Sequence, residues 1–225
     1  MFCQKCGVQI PDNATTCSSC SASVAAPNPA DVAAHKAKAV SKDAWQAFKL
    51  LASNPVGGLS VAFESLGQAR ALCVGIAFGA AFALCVSFGV YLLFTEWGRP
   101  PGFTGFIKIL VYAVLPFVSL FGASVVGRKV CRGEGLLGHD CFIAGASLLP
   151  FGFIALLAGI LGLGNIEVVV VFTLFAVCLT ILMLFAGLTR ICKTSERAAT
   201  LAVPLMLIAS AWLSKIIYAA VLMEL

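Results

Sequence analysis

The chain has 225 residues, of which 60% are hydrophobic and only 11% charged, and its mean hydropathy is +1.01. Ordinary soluble domains carry roughly 25% charged residues, so this composition excludes a water-soluble globular protein and makes lipid the solvent for most of the chain. The net charge of +5 comes from basic residues scattered over short interhelical stretches, not gathered in one stripe, so no nucleic-acid partner is expected.

Residues 1–22 carry the one motif with chemistry of its own. Cys3-Gln-Lys-Cys6-Gly7 and Cys17-Ser-Ser-Cys20 are two CxxC knuckles separated by ten residues. Each knuckle turns two thiolates toward one centre, and four sulfur ligands make a closed tetrahedral site for one structural Zn2+. A disulfide pair is disfavoured in a reducing compartment, and a redox CxxC needs a thioredoxin-like context that twenty residues do not contain. Spacing alone leaves a rubredoxin-type iron centre open. Gly7 permits the tight turn after the first knuckle, whereas Ser21 stands where a second glycine often sits. Val8 to Asn13 have the composition of a short strand and turn. The other six of the ten cysteines lie singly in or beside apolar segments, where cysteine behaves as a small hydrophobe. No secretory signal is expected, because polar spacers and cysteines occupy the place of an apolar run.

Residues 23–40 are rich in Ala, Pro, Asn and Lys without apolar periodicity and read as a flexible linker. Over 41–68 the pattern predicts two amphipathic juxtamembrane helices. In the first, Ser41 is the expected N-cap and Trp45, Phe48 and Leu51 recur at helical spacing. Asn54-Pro55 ends it, and Leu59, Ala62, Phe63 and Leu66 mark the second.

Residues 69–225 form a predicted five-helix transmembrane domain. A span needs about 20 apolar residues, and the predicted spans are about 71–94, 106–126, 141–163, 168–188 and 201–223. Only Gly164 to Glu167 separate the third from the fourth, which predicts a tight antiparallel hairpin. Arg128, Lys129 and Arg132 follow the second span, and Arg190, Lys193 and Arg197 the fourth, so these loops belong on the cytosolic side. The N-terminus then lies in the cytosol and the C-terminus opposite, with the cytoplasmic membrane as the expected location.

The spans hold little ionisable chemistry. Asp140 and Glu167 sit at span edges, neither HExxH nor GxSxG occurs, and no catalytic residue is expected. Lys215 is the one basic residue well inside a span; its stem is expected to snorkel, the alternative being a polar cavity with Ser214 or Tyr218. Gly75-xxx-Gly79-xxx-Ala83 is a small-residue stripe suited to helix contact within the chain or to a homo-oligomer. Pro116, Pro150 and Pro204 interrupt three spans and predict kinks. Cys131, His139, Cys141 and Cys192 are a weaker candidate for a second soft-metal site, with no standard spacing.

The ribbon MFCQKCGVQIPDNATTCSSC, five spans, Asn54-Pro55 followed by an amphipathic lead-in, and Ala146-Ser-Leu-Leu-Pro150 together resemble bacterial proteins that join a zinc ribbon to a five-helix domain similar to the Yip family. Eukaryotic members of that family act in vesicle trafficking with Rab-type GTPases. The resemblance implies a membrane scaffold or adaptor without catalytic residues, and Rab binding is not carried over. The sequence therefore predicts a non-enzymatic multi-pass scaffold whose ribbon engages a protein partner. A small-solute transporter or channel using Lys215, and a metal- or redox-responsive regulator, are the alternatives.

Overall fold

Inside hydrocarbon a backbone has no water to satisfy its N–H and C=O groups, and a helix satisfies them within one segment. The computed structural model describes residues 3, 5–9, 17–21, 29–96, 98, 100–162 and 166–223. The described residues form six α-helices, α1 (Pro29–Ser53), α2 (Gly57–Glu96), α3 (Phe103–Val130), α4 (Leu137–Ile160), α5 (Ile166–Ala186) and α6 (Glu196–Met223), with a one-turn π-helix at Gly187–Ile191 continuing α5. Among the described residues there is no strand. The five helices from α2 onward are long and apolar enough to cross a membrane. The protein is an all-α polytopic membrane protein, and all five expected spans are present. Part of the loop between the third and fourth spans, at 163–165, lies outside the described residues.

The chain divides into two compact units, Met1–Ala39 and Val40–Leu225. One expectation for the region before the first span is corrected. The linker assigned to 23–40 is helical from Pro29, and Ser41 lies inside α1 instead of capping it. Proline suits the first position of a helix, and the alanines and lysines that follow are strong helix formers. Residues 22–28 lie outside the described residues.

Over 41–68 the two expected amphipathic helices are present as the end of α1 and the start of α2, the second running on into the first span. The end of α1 and the start of α2 fold back on each other about Asn54-Pro55. Asn54 Oδ1 accepts the Gly57 N–H at 2.8 Å, and the backbone of Gly58 lies against Leu50. Ala47, Leu51, Leu59, Ala62 and Leu66 are all buried in the common core. Phe48 stacks on Phe153 at 5.5 Å, and Ala52 and Pro55 line a 240 Å³ cavity with Leu149, Pro150 and Met183. Leu149 is 12 residues into α4, about 18 Å along its axis at 1.5 Å per residue, so the tip reaches the middle of the bundle. The hairpin packs beside α4 with its tip level with the midpoint of that helix. Gly67, at φ 69 and ψ 169, then turns α2 into its spanning portion, in a backbone region that only glycine adopts readily. Arg70 closes the hairpin mouth on Asp43 at 3.3 Å.

The core is organised by α2 and α4, which run parallel. Gly138, Gly145, Gly152 and Gly159 recur every seven residues on α4 and meet Gln68, Gly75, Phe82 and Gly89 of α2 in turn. A Cβ built on Gly75 would stand 2.6 Å from the Cys141 carbonyl carbon and the Phe142 nitrogen. Lipid tails are as apolar as leucine, so such helices hold together through close van der Waals packing of small residues. Of the two uses expected for the stripe at Gly75 and Gly79, helix contact within the chain is the one seen, and the homo-oligomer is not. Gly75 is filled by α4, and a Cβ on Gly79 would be 2.7 Å from the Phe117 ring of α3. Neither glycine is left for a second copy.

Helices α3 and α6 pack along a polar seam. Ser119 Oγ lies 2.8 Å from both Ser210 Oγ and Ser214 Oγ, and the Tyr112 and Tyr218 rings are 4.5 Å apart. Pro116, Pro150 and Pro204 are each interior to a continuous helix.

Candidate metal centre

The two knuckles share one local geometry. The Gly7 N–H donates to the Cys3 carbonyl at 2.8 Å, and the Ser21 N–H donates to the Cys17 carbonyl at 2.9 Å. Gly7 has φ 73 and Ser21 φ 53. Ser21 thus takes the left-handed conformation that the glycine takes in the first knuckle, at the cost that a side chain brings there. The missing glycine is a loss of stability and not a change of architecture. A bond from the Cys3 N–H to the Val8 carbonyl at 2.9 Å closes the first turn. Of the strand and turn expected over Val8 to Asn13, only an isolated bridge at Gln9 is seen, and residues 10–16 lie outside the described residues.

All four Sγ atoms lie within 4.8 Å of one another, with Cys3–Cys20 and Cys6–Cys17 at 3.6 Å. Zinc–sulfur bonds of about 2.3 Å in a tetrahedron require S···S edges of about 3.8 Å, so the quartet fits one Zn2+ with little adjustment. Cys3 and Cys17 are buried, Cys20 partly so, and Cys6 is exposed. Backbone N–H groups of Lys5 and Cys6 bring the Cys3 thiol down to about 6 from 9.0. Those of Ser19 and Cys20 lower Cys17 in the same way. Cys6 receives a lowering bond from the Val8 backbone, yet hydrogen bonds shared with Cys3 and Cys20 push it up to about 12. The backbone therefore favours thiolate at the buried sulfurs, and a divalent cation replaces the protons that the four otherwise share. Four sulfurs turned on one centre leave no coordination position for a substrate, which is the geometry of a structural site.

The remaining sequence-predicted positions do not assemble. Among the described residues the quartet is the one group of three or more potential ligands placed to hold a metal, so Cys131, His139, Cys141 and Cys192 make no second site. Lys215 is exposed on α6, while its neighbour Ser214 turns to Ser119. Sequence reasoning missed a buried ion pair. Asp140, read as a span-edge residue, is fully buried in the first turn of α4. It accepts from Arg128 Nε at 2.9 Å and from Ser124 Oγ at 3.2 Å. Neither residue stands out alone; the signal available was an Arg and an Asp flanking one short interhelical turn.

No curated protein and no solved structure matches the chain. Residues 2–24 match the family model of the zinc-ribbon domain. Together with the tetrathiolate geometry, this makes the N-terminal module a zinc ribbon for one structural zinc ion.

Proposed function

We propose that the protein is a non-enzymatic multi-pass scaffold, Yip-like in its membrane domain, whose ribbon presents a recognition surface to a protein partner in the cytosol. The observation that carries this reading is the closed tetrathiolate: a metal with no open position stabilises a small surface and does no chemistry. Val8 is exposed on that surface. Two polar clusters inside the bundle support the same reading, because Arg128, Asp140 and Ser124, and likewise Ser119, Ser210 and Ser214, are engaged with one another across helices. The end of the bundle with Lys129, Arg132, Arg190, Lys193 and Arg197 faces the cytosol under the positive-inside rule, with the N-terminus on that side and the C-terminus opposite. A conducting role through Lys215 has less support, since that side chain lies on the exposed flank of α6.

The test is photo-crosslinking of the full-length protein in its own membrane from a probe at Val8. A discrete protein adduct that disappears in the Cys17→Ser variant is the expected result. Adducts with lipid alone would sink the adaptor reading. Alkylation of Cys131 by an impermeant reagent from the cytosolic side, and not from outside, checks the orientation.

A further inference from the structure

At the basic end of the bundle three separate pieces of chain converge on a 340 Å³ cleft. The returning arm of the hairpin supplies Ser60, Phe63, Glu64 and Gln68. The α3–α4 loop and the first turn of α4 supply Glu134 and His139, and the turn after α5 supplies Arg190 and Lys193. This volume falls within the usual range for small-ligand sites, about 300–1,000 Å³. Three further cavities among the described residues are lined almost wholly by apolar side chains, whereas charges of both signs line this one.

Backbone irregularities gather here as well. Arg190 lies on the π-helical turn, Lys193 is held at φ 51, and Gly135 adopts φ 128 against the His139 ring. Single π turns and left-handed non-glycine residues cost free energy and concentrate at binding sites. His139 is buried beneath the cleft, its ring 4.6 Å from that of Phe63. Its Nδ1 accepts the Leu136 N–H at 3.0 Å, which leaves Nε2 as a donor.

The charges sort themselves. Lys193 pairs with Glu134 at 3.1 Å on the exposed rim, so these two charges offset each other. Glu64 and Arg190 line the same cleft, and among the described residues neither makes an ion pair. The cleft therefore offers one spare anion and one spare cation on facing elements, at the level where α4 begins and α5 ends. We propose that it binds a zwitterion combining a phosphate with a primary ammonium, the phosphate on Arg190 and the ammonium on Glu64. Two sources carry that chemistry at this level: a phosphatidylethanolamine headgroup and free phosphoethanolamine. A guanidinium recognises phosphate in a fork, and a carboxylate discriminates an ammonium that donates hydrogen bonds from a quaternary one that cannot.

The experiment uses the full-length, zinc-loaded protein in detergent and reads lipid adducts by native mass spectrometry. Phosphatidylethanolamine, its mono-, di- and trimethylated analogues, and phosphatidylglycerol are added at equal concentration. On the unmodified protein, retention should fall about tenfold or more from the ethanolamine lipid to the trimethylated one. Phosphatidylglycerol should bind no better than the trimethylated lipid. Glu64→Gln should flatten the methylation series, and Arg190→Gln should abolish retention. Lys108→Gln, at the opposite end of the bundle, should change nothing. Phosphoethanolamine that competes at equal concentration identifies a soluble ligand as the source; failure to compete identifies the lipid. Equal retention of the ethanolamine, trimethylated and glycerol lipids, or a series unchanged by Glu64→Gln, would overturn the proposal without touching the scaffold reading, which concerns the ribbon.

Discussion

Arg128, in the last turn of α3, sets both its Nε and a terminal nitrogen 2.9 Å from one carboxylate oxygen of Asp140, at the start of α4. The other oxygen accepts from Ser124, one turn earlier on α3. Both charges are buried, and the pair spans the short turn at Cys131–Leu136. That turn is closed in addition by hydrogen bonds from Arg132 to Lys129 and from Gly133 to Arg128.

Removing one member of a buried pair leaves the other charge without compensation. Asp140→Leu should therefore destabilise the protein by about 3–5 kcal/mol. The double variant with Arg128→Leu should recover a large part of that loss. Unfolding of the detergent-solubilised protein, followed by helical signal, measures both. A single variant that costs less than about 1 kcal/mol would mean that the pair does not hold α3 to α4.

The glycine seam makes a sharper steric prediction. Gly145→Leu pushes a side chain into the backbone at Gly75, which cannot move aside, and overpacking of this kind costs about 1–3 kcal/mol or more. Gly122→Leu is the matched control, because nothing lies within 4 Å of a Cβ there. The first should lower the melting temperature and the second should leave it nearly unchanged. If both behave alike, α2 and α4 are not in close apposition.

For the hairpin the readout is accessibility. Asn54→Cys, in a background without other reactive thiols, should resist impermeant maleimide from both sides of the bilayer. Ser41→Cys, exposed in α1, should react from the cytosolic side. Rapid labelling of position 54 from either side would place the hairpin in water.

Within the ribbon, Ser21→Gly relieves the left-handed strain of the second knuckle without touching a ligand. It should stabilise the zinc-loaded module by about 0.4–1 kcal/mol, seen as slower loss of zinc to a chelator. Cys20→Ser should lower bound zinc from one equivalent toward none while the spanning helices keep their helicity. Such a ribbon has no core to fold around once the metal is gone.

The five spans and the four ligands were legible in the sequence because each rests on a local rule, about 20 apolar residues or two CxxC pairs. The two helices about Asn54-Pro55 were legible too, but not their packing against α4, since Trp45, Phe48 and Leu51 have the same periodicity whatever the helix lies against. Burial of Ala47 and Leu51 depends on what α4 offers opposite them. Arg128 and Asp140 counted separately as loop charge and span edge; nothing in one chain's periodicity joins residues across a turn. The stripe at Gly75 and Gly79 was read correctly as helix contact, but its partner only becomes evident from the sevenfold spacing of Gly138, Gly145, Gly152 and Gly159.

That spacing has a consequence for how the helices find their alignment. Sliding α4 by seven residues along α2 would again set glycines opposite the same positions, so the seam dictates how near the two axes come and is nearly silent about their offset. The offset must be chosen by side chains that do not repeat. Phe63, lodged between the His139 ring at 4.6 Å and the Phe142 ring at 5.8 Å, is such a vernier. The returning arm of the hairpin, which carries it, thereby adds to the Phe78–Phe142 and Phe82–Phe151 contacts that tell one offset of the two central helices from another.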